Sequence, residues 1–148
     1  MIHLATPEDA AEVARLMIGF RDWWGRTEPS DEAFHAGVVR LLGDPDTEFL
    51  LGGEPPVGVC QVRYRPSLWT AGDCWLEDIF VEDAARGSGL GRALVEASFE
   101  RARARGCSRI ELDVNEANPA ALALYESLGF STWSEPPGGR NLLMRRLL

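Results

Sequence analysis

The hydrophobic positions of this chain follow two repeats, one typical of amphipathic helices and one typical of short strands. Apolar side chains at helical spacing predict a first helix that begins near Pro7 and another helix over residues 90–105. Compact apolar runs bounded by turn-forming residues predict strands. In chain order, the predicted strands cover residues 2–5, 49–51, 57–64, 75–81, 109–114, 130–134 and 141–147.

Polar residues mark the starts of three helices. Thr6 and Asn118 each precede a proline, and an N-cap followed by proline at the first helical position is a typical helix start. Ser30 predicts the start of a further helix that ends at about Leu42. The element order is therefore β-α-α-β-β-β-α-β-α-β-β, which predicts an α+β (mixed α/β) protein built on a mixed sheet.

Length and charge narrow the functional classes. The chain has 148 residues, which favours a single domain spanning residues 1–148. Its formal net charge of −8 is the wrong sign for a general nucleic-acid binder, but it is compatible with a cationic acceptor such as an amine. No apolar run approaches the roughly 20 residues that cross a bilayer, and the acidic N-terminal segment does not resemble a signal peptide. We therefore expect no membrane partner.

The cysteines favour a reducing compartment. Cys60, Cys74 and Cys107 are odd in number and widely spaced, which argues against a disulfide framework and against a zinc site. Apolar thiols of this kind are typical of proteins kept in reducing surroundings, so we expect a cytoplasmic protein.

A glycine-rich segment lies between a predicted strand and a predicted helix. Residues 86–92 follow the strand over residues 75–81, and the helix begins at Leu90. The first backbone N–H groups of a helix have no partner within it and lie at the positive end of the helix dipole, so an anion can bind there. The spacing fits neither the Rossmann fingerprint nor the P-loop. A phosphate-bearing ligand is one interpretation, and a tight turn with a basic rim is the other.

A second segment completes a recognisable pair of motifs. Arg86-x-x-Gly89-x-Gly91 is followed by Asn118-x-x-Ala121-x-x-Leu124-Tyr125 and then by Gly129-Phe130. With this order and separation, the chain resembles the GNAT superfamily of acyl-CoA-dependent N-acetyltransferases, closely over residues 75–130 and more loosely before that. The resemblance implies one GNAT domain, with a mixed, mostly antiparallel twisted sheet of about seven strands flanked by about four helices.

The resemblance also implies where acetyl-CoA binds. The loop would hold the diphosphate, and the strand residues before it would pair with the pantetheine arm, where a backbone N–H polarises the thioester carbonyl. Asn118 is either a helix cap or a cofactor contact, since one side chain can serve only one of these roles at a time. No metal is expected. The residues expected to bind the cofactor are Ile79, Phe80, Val81, Arg86, Gly87, Ser88, Gly89, Leu90, Gly91, Arg92, Asn118 and Tyr125.

Two catalytic groups are expected. The resemblance assigns Tyr125 as the acid that protonates the leaving thiolate, and a phenol with an ordinary pKa near 10 carries a proton at neutral pH. Tyr125 at helical spacing from Leu122 and Leu128 is also compatible with a core aromatic. Glu77 and Asp78 are neighbours on one strand, so alternation predicts opposite faces, with one carboxylate lining a cleft. We favour Glu77, acting through water, as the base; Asp78, water alone and an ordinary structural charge are the alternatives.

Trp23 and Trp24 are the best indication of where the acceptor binds, because the segment after the first helix walls the acceptor site in these folds. The alternative interpretation is that one tryptophan is buried in the core and the other forms a dimer contact.

The predicted function is transfer of the acetyl group from acetyl-CoA to a primary amine by direct attack, with a small amine or polyamine favoured. The alternatives are a non-catalytic acyl-CoA-binding module and a protein N-terminal or lysine acetyltransferase. The acceptor, the acyl-chain preference and the oligomeric state, with a homodimer possible, are open.

Overall fold

The protein forms two compact units, Met1–Leu112 and Asp113–Leu148. The computed structural model describes residues 1–132, 138 and 142–148. The second unit contains α4 (Pro119–Ser127). The first unit contains β1 (Ile2–Leu4), α1 (Ala10–Trp23), α2 (Asp31–Leu42), β2 (Thr47–Gly53), β3 (Pro56–Arg65), β4 (Asp73–Val81), α3 (Leu90–Ala104) and β5 (Arg109–Glu111).

The sheet of the first unit has the order β1-β2-β3-β4-β5. The first three pairings are antiparallel, and β4 pairs with β5 in parallel. The predictions of a mixed, mostly antiparallel sheet and of four helices are therefore confirmed for the described part of the chain.

The predicted number of strands is wrong for the described residues, which form five strands and not seven. Residues 130–132 and 142–148 belong to no helix or strand, and the remainder of the two predicted C-terminal strands, at 133–134 and 141, lies outside the described residues. An apolar run becomes a strand only where a partner backbone completes its hydrogen bonds. The outermost partner, β5, is only three residues long.

Alternation along the strands divides the first unit into layers. Leu51, Val59 and Phe80 pack with the apolar faces of α1 and α2 in one core cluster. The neighbouring positions Gly52 and Gly58 face the opposite side of the sheet, where they meet Leu90 and Leu94 of α3. The sheet is thus covered by α1 and α2 on one face and by α3 on the other.

Two glycines allow the start of α3 to lie close to the sheet. A Cβ at Gly58 would lie 3.0 Å from Leu94 Cδ1 and 3.1 Å from Leu90 Cδ2. A Cβ at Gly52 would lie 2.7 Å from Leu90 Cδ1. Because Leu90 is the first residue of α3, this close contact sets the height of the helix N-terminus, and of the loop before it, above the sheet.

The predicted helix starts are confirmed. Thr6 and Asp9 form a capping box, with the Thr6 N–H donating to Asp9 Oδ2 at 2.8 Å. Ser30 Oγ accepts from the Ala33 N–H at 3.2 Å and begins α2. A short 3-10 turn over Pro7–Asp9 precedes α1, which extends to Trp23, so Trp23 is helical and only Trp24 starts the connection to α2.

An ion-pair network joins α3 to the sheet. Arg101 donates to both carboxylate oxygens of Glu48, at 2.7 and 2.8 Å, and Tyr64 Oη donates to the same carboxylate at 2.7 Å. Burial raises the pKa of Glu48, but the hydrogen bonds from Arg101 and Tyr64 outweigh it and hold the pKa below its ordinary value. Burial, followed by the bond to Glu48, raises the pKa of Tyr64.

All three cysteines are free. The side chains of Cys60 and Cys74 are fully buried, and burial raises the pKa of both thiols, that of Cys74 to about 12. Cys107 is half-buried, and burial raises the pKa of its thiol as well.

Candidate functional site

A bulge in β4 sets the positions of the two candidate carboxylates. Asp78 lies opposite Gln61 and Leu76 lies opposite Val62, so Glu77 has no partner residue on β3. The extra residue breaks the alternation that predicted opposite faces for the two neighbours. Asp78 lies on the same face of β4 as Phe80 and is half-buried, whereas Glu77 is exposed at the bulge.

A cavity of about 250 Å³ lies between β4 and the connection from α1 to α2. Asp78 supplies a carboxylate from the sheet, and the opposite wall comes from the two helices and their connection. Of the predicted acceptor residues, Trp24 and Asp78 line the cavity. The lining residues are Met17, Phe20, Arg21, Trp24, Arg26, Glu28, Pro29, Phe34 and Asp78.

The charge of Arg21 is matched within the protein. Its guanidinium donates to Asp22 at 2.7 Å, to Asp31 at 2.8 Å and to the carbonyl oxygen of Pro29 at 2.7 Å. It also lies 5.8 Å from the ring centroid of Phe34. These bonds fix the connection between α1 and α2, so Arg21 shapes the cavity wall without offering a free charge to a ligand.

Trp23 is not among the residues that line the cavity, and its ring contacts Arg86 of the glycine-rich loop. The Arg86 guanidinium lies 5.1 Å from the Trp23 ring centroid and 5.9 Å from that of Phe80. Arg86 also donates to the Val81 carbonyl oxygen at 3.1 Å and pairs with Asp83 at 2.8 Å. Both tryptophans are nearly half-exposed, at 47% for Trp23 and 46% for Trp24, so neither is a core residue.

The glycine-rich loop has the backbone geometry expected of a strand-to-helix turn. Gly87 and Gly89 have φ angles of +76° and +87°, a left-handed conformation that side chains disfavour. Gly89 is the N-cap of α3, and no acidic residue lies in the first turn of that helix. Ser88 Oγ donates to the Ala85 carbonyl oxygen at 2.7 Å, and Arg92 lies 3.7 Å from Glu96. The N-terminus of α3 is thus the positive end of a helix dipole, with glycines and arginines beside it.

The edge of β4 is open beyond its first residues. Its pairing with β5 ends where Trp75 meets Glu111, and within the described residues no strand pairs with that edge from Leu76 to Val81. Peptide groups of Ile79, Phe80 and Val81 therefore lie on an edge to which an extended ligand can add, as strands do.

The second unit carries the remaining predicted residues. Asn118 Oδ1 accepts from the Ala121 N–H at 3.1 Å, so the predicted N-cap of α4 is confirmed, while its cofactor contact stays a prediction. Tyr125 is buried, and its ring meets Phe130 edge-on with centroids 5.7 Å apart. The tyrosine thus has the core packing that its helical spacing allowed, and its role as an acid stays a prediction.

The described residues show neither a metal-binding cluster nor a helix that could span a membrane. Residues 1–132, 138 and 142–148 contain no group of three or more His, Cys, Asp or Glu side chains placed to hold a metal ion. In the same part of the chain, no helix has both the length and the apolar character needed to cross a membrane.

Sequence reasoning missed most of the cavity wall. It did not single out Arg21, Arg26, Glu28 or Phe34, all of which line the cavity. The available signal was the density of charged and aromatic residues between the two helices, since connections of this kind often carry function.

Comparisons with known proteins point to acetyltransferases. The sequence model of the acetyltransferase (GNAT) family matches residues 11–130. A crystal structure from Arthrobacter sp. FB24, provisionally described as an acetyltransferase, superposes with a TM-score of 0.89 and 33% identity, covering 100% of this chain and 96% of that one.

Curated relatives match over part of their length. Thialysine N-epsilon-acetyltransferase of Sus scrofa is 36% identical over 110 residues, which is 71% of this chain and 60% of that protein. Mycothiol acetyltransferase of Thermobispora bispora is 52% identical over 54 residues, covering 36% of this chain and 18% of that protein. The chain therefore spans about 60% of the length of the first relative and much less of the second.

Proposed function

Because the chain belongs to the acetyltransferase (GNAT) family, we propose that it transfers the acetyl group of acetyl-CoA to a primary amine bound in the cavity beside Asp78. The observation that carries the proposal is the arrangement around β4. From Leu76 to Val81, the edge of β4 pairs with no strand of the described residues and leads into the glycine-rich loop, and the bulge brings Asp78 to a cavity of about 250 Å³.

The same elements support the cofactor assignment. Residues 86–92 and the N-terminus of α3 would hold the diphosphate, since backbone N–H groups, the helix dipole and two arginines all favour an anion there. The pantetheine would extend along Ile79 to Val81. A backbone N–H of that edge would polarise the thioester carbonyl, a contribution that is often the largest in catalysis.

The two carboxylates of the bulge take different roles in this proposal. Asp78 lines the cavity and holds the incoming ammonium group by charge. Glu77, exposed beside it, takes the ammonium proton through water and so leaves a nucleophilic amine. The amine nitrogen bonds to the acetyl carbon, the carbon–sulfur bond breaks, and Tyr125 protonates the leaving thiolate, the role that the family motif gives this tyrosine.

The name of one relative supports an amine acceptor. The thialysine enzyme is named for acetylation at Nε, which is an amine nitrogen. The walls of the cavity also suit an organic cation, because Phe20, Trp24 and Phe34 are aromatic. A small amine or polyamine remains the favoured acceptor class. A cytoplasmic location and a homodimer remain part of the proposal.

Calorimetric titration with acetyl-CoA, with NAD and ATP as controls, tests the cofactor half of the proposal. We expect selective binding of acetyl-CoA. An amine panel with thiol release as readout then tests the acceptor half. All 15 basic residues are arginine, so no lysine of the enzyme competes as an acceptor. A folded protein that binds no acetyl-CoA contradicts the proposal, and tight binding without turnover of any amine favours a non-catalytic acyl-CoA-binding protein.

Paired variants separate the two carboxylates. Asp78→Asn should raise the acceptor KM, because the charge that attracts the ammonium group is lost, whereas Glu77→Gln should lower kcat. Equal effects of both changes on KM alone would remove Glu77 from the proton transfer.

A further inference from the structure

One face at the end of α1 lies against β4 and the glycine-rich loop. Trp23 follows Gly19 by four positions and Phe20 by three, so the three residues share this face. A Cβ at Gly19 would lie 3.2 Å from the ring of Phe80, and the Phe20 ring stacks on that ring with centroids 5.6 Å apart. Phe80 belongs to β4, so the end of α1 packs on the strand that leads into the loop.

The side chain of Arg86 joins the loop to the same face of α1. Its guanidinium lies 5.1 Å from the ring centroid of Trp23 and 5.9 Å from that of Phe80. Arg86 Nε donates to the Val81 carbonyl oxygen at 3.1 Å, and Nη1 lies 2.8 Å from Asp83 Oδ1. Two aromatic rings, a carbonyl group and a carboxylate of the protein itself therefore hold this guanidinium.

These contacts fix the chain where the loop begins. The Arg86 side chain connects the first residue of the loop to the end of β4 and to α1, and Asp83 balances its charge. Gly87 and Gly89 follow, and glycine loses more conformational freedom than any other residue when a segment becomes ordered. An anchor at Arg86 reduces the freedom that a bound ligand would have to remove, and preorganised sites bind more tightly.

We propose that Trp23 is a positioning residue for acetyl-CoA, which holds the Arg86 guanidinium and so orders the loop that receives the diphosphate. The inference rests on the proposed function and deepens its cofactor half. It gives different roles to two neighbours in sequence, because Trp24 lines the acceptor cavity whereas Trp23 does not.

A double-mutant cycle tests whether Trp23 acts through Arg86. In calorimetric titrations with acetyl-CoA, Trp23→Leu should weaken binding by roughly threefold to fivefold, because a half-exposed cation–aromatic contact is a modest interaction. Arg86→Gln removes the anchor itself and should weaken binding at least as much. In the Arg86→Gln background, Trp23→Leu should have no further effect, and additive losses would overturn the proposal.

A donor without the diphosphate separates ordering of the loop from general damage to the site. S-acetylpantetheine carries the thioester and the pantetheine arm, so it can bind the β4 edge without engaging the loop. With thiol release as readout and one amine from the panel, Trp23→Leu should lower the ratio of kcat/KM for acetyl-CoA to kcat/KM for S-acetylpantetheine. An unchanged ratio would overturn the proposal, because the substitution would then act on a part of the site that both donors share.

Variants of the other tryptophans are the controls. Trp69→Leu makes the same change at a side chain that is 94% exposed in the connection between β3 and β4, and acetyl-CoA affinity should not change. Trp24→Leu should raise the acceptor KM with little change in acetyl-CoA affinity, since Trp24 lines the cavity. Trp23→Phe keeps an aromatic face for Arg86 and should recover most of the affinity that Trp23→Leu loses.

The outcomes distinguish this inference from the proposed function. Trp23 is 47% exposed, so Trp23→Leu should keep the fold, which urea denaturation checks. Unchanged acetyl-CoA affinity in the folded Trp23→Leu protein overturns the inference and leaves the acetyltransferase proposal standing; a raised acceptor KM in that protein would then assign Trp23 to the acceptor site. Failure of the folded wild-type protein to bind acetyl-CoA overturns the proposed function, and the inference with it.

Discussion

Replacing Gly58 by alanine tests whether close contact between β3 and α3 sets the position of the glycine-rich loop. The new Cβ would lie 3.0 Å from Leu94 Cδ1 and 3.1 Å from Leu90 Cδ2, a few tenths of an ångström closer than ordinary contact. Both contacts are leucine methyl groups, and Leu94 is fully buried, so the helix or its side chains must shift.

The expected change in the free energy of unfolding follows from two opposing effects of the substitution. Overpacking a well-packed core costs about 1–3 kcal/mol, and contact with movable methyl groups favours the middle of that range. The loss of unfolded-state freedom when glycine becomes alanine stabilises by about 0.4–1 kcal/mol. We therefore expect Gly58→Ala to lower the free energy of unfolding by about 1 kcal/mol, which lowers Tm by roughly 2–4 °C.

Gly37→Ala is the matched control. Gly37 lies inside α2, and a Cβ there meets nothing within 4 Å. The same chemical change should therefore raise the free energy of unfolding by about 0.5–1 kcal/mol. Urea denaturation of both variants gives the comparison. A Gly58→Ala protein as stable as Gly37→Ala would refute the close-packing argument, whatever its activity.

Three further predictions follow from the network, the thiols and the proposed acid. The pKa of Glu48 is lowered in the folded protein, so the stabilising effect of its ionised carboxylate is complete above the unfolded-state pKa and is lost as the pH falls through the folded-state pKa. Below about pH 4.5, the unfolding free energy of Glu48→Gln should therefore decline less than that of the wild type. Parallel pH profiles of the two proteins would contradict this. Ellman's reagent should modify only Cys107 in the native protein and all three thiols after denaturation, because Cys60 and Cys74 are fully buried; fast native reaction of a second thiol would contradict the described burial. Tyr125→Phe should lower kcat more than tenfold with little change in acetyl-CoA affinity, and an unchanged kcat would remove Tyr125 from the mechanism.

Local chemistry made much of the fold predictable. A polar cap followed by proline determines a helix start within a few residues, and the Thr6 and Asn118 starts agree with the structure. The strand-loop-helix unit around residues 75–105 was predictable for the same reason, since a glycine-rich turn between two apolar repeats is a local signal. These features depend on neighbours in sequence and not on distant partners.

The candidate site depends on long-range contacts, and there the sequence was less informative. Alternation predicted that Glu77 and Asp78 face opposite ways, but the register with β3 inserts Glu77 as a bulge. The cavity wall required α1, α2 and β4 to come together, so Arg26 and Glu28 had no periodic signal. Two adjacent acidic residues inside an apolar strand were the one available indication of a bulge.

The contact of Arg86 with Trp23 restricts how this protein can be redesigned. One side chain of the loop rests on the last residue of α1, whose neighbour Trp24 lines the cavity. Random libraries that vary Trp23 to broaden the acceptor range would also disturb the loop assigned to the diphosphate, and such variants would lose cofactor affinity along with selectivity. Libraries confined to Trp24 and Phe34 leave that cation–aromatic contact intact, so they are the better starting point for evolving new acceptors.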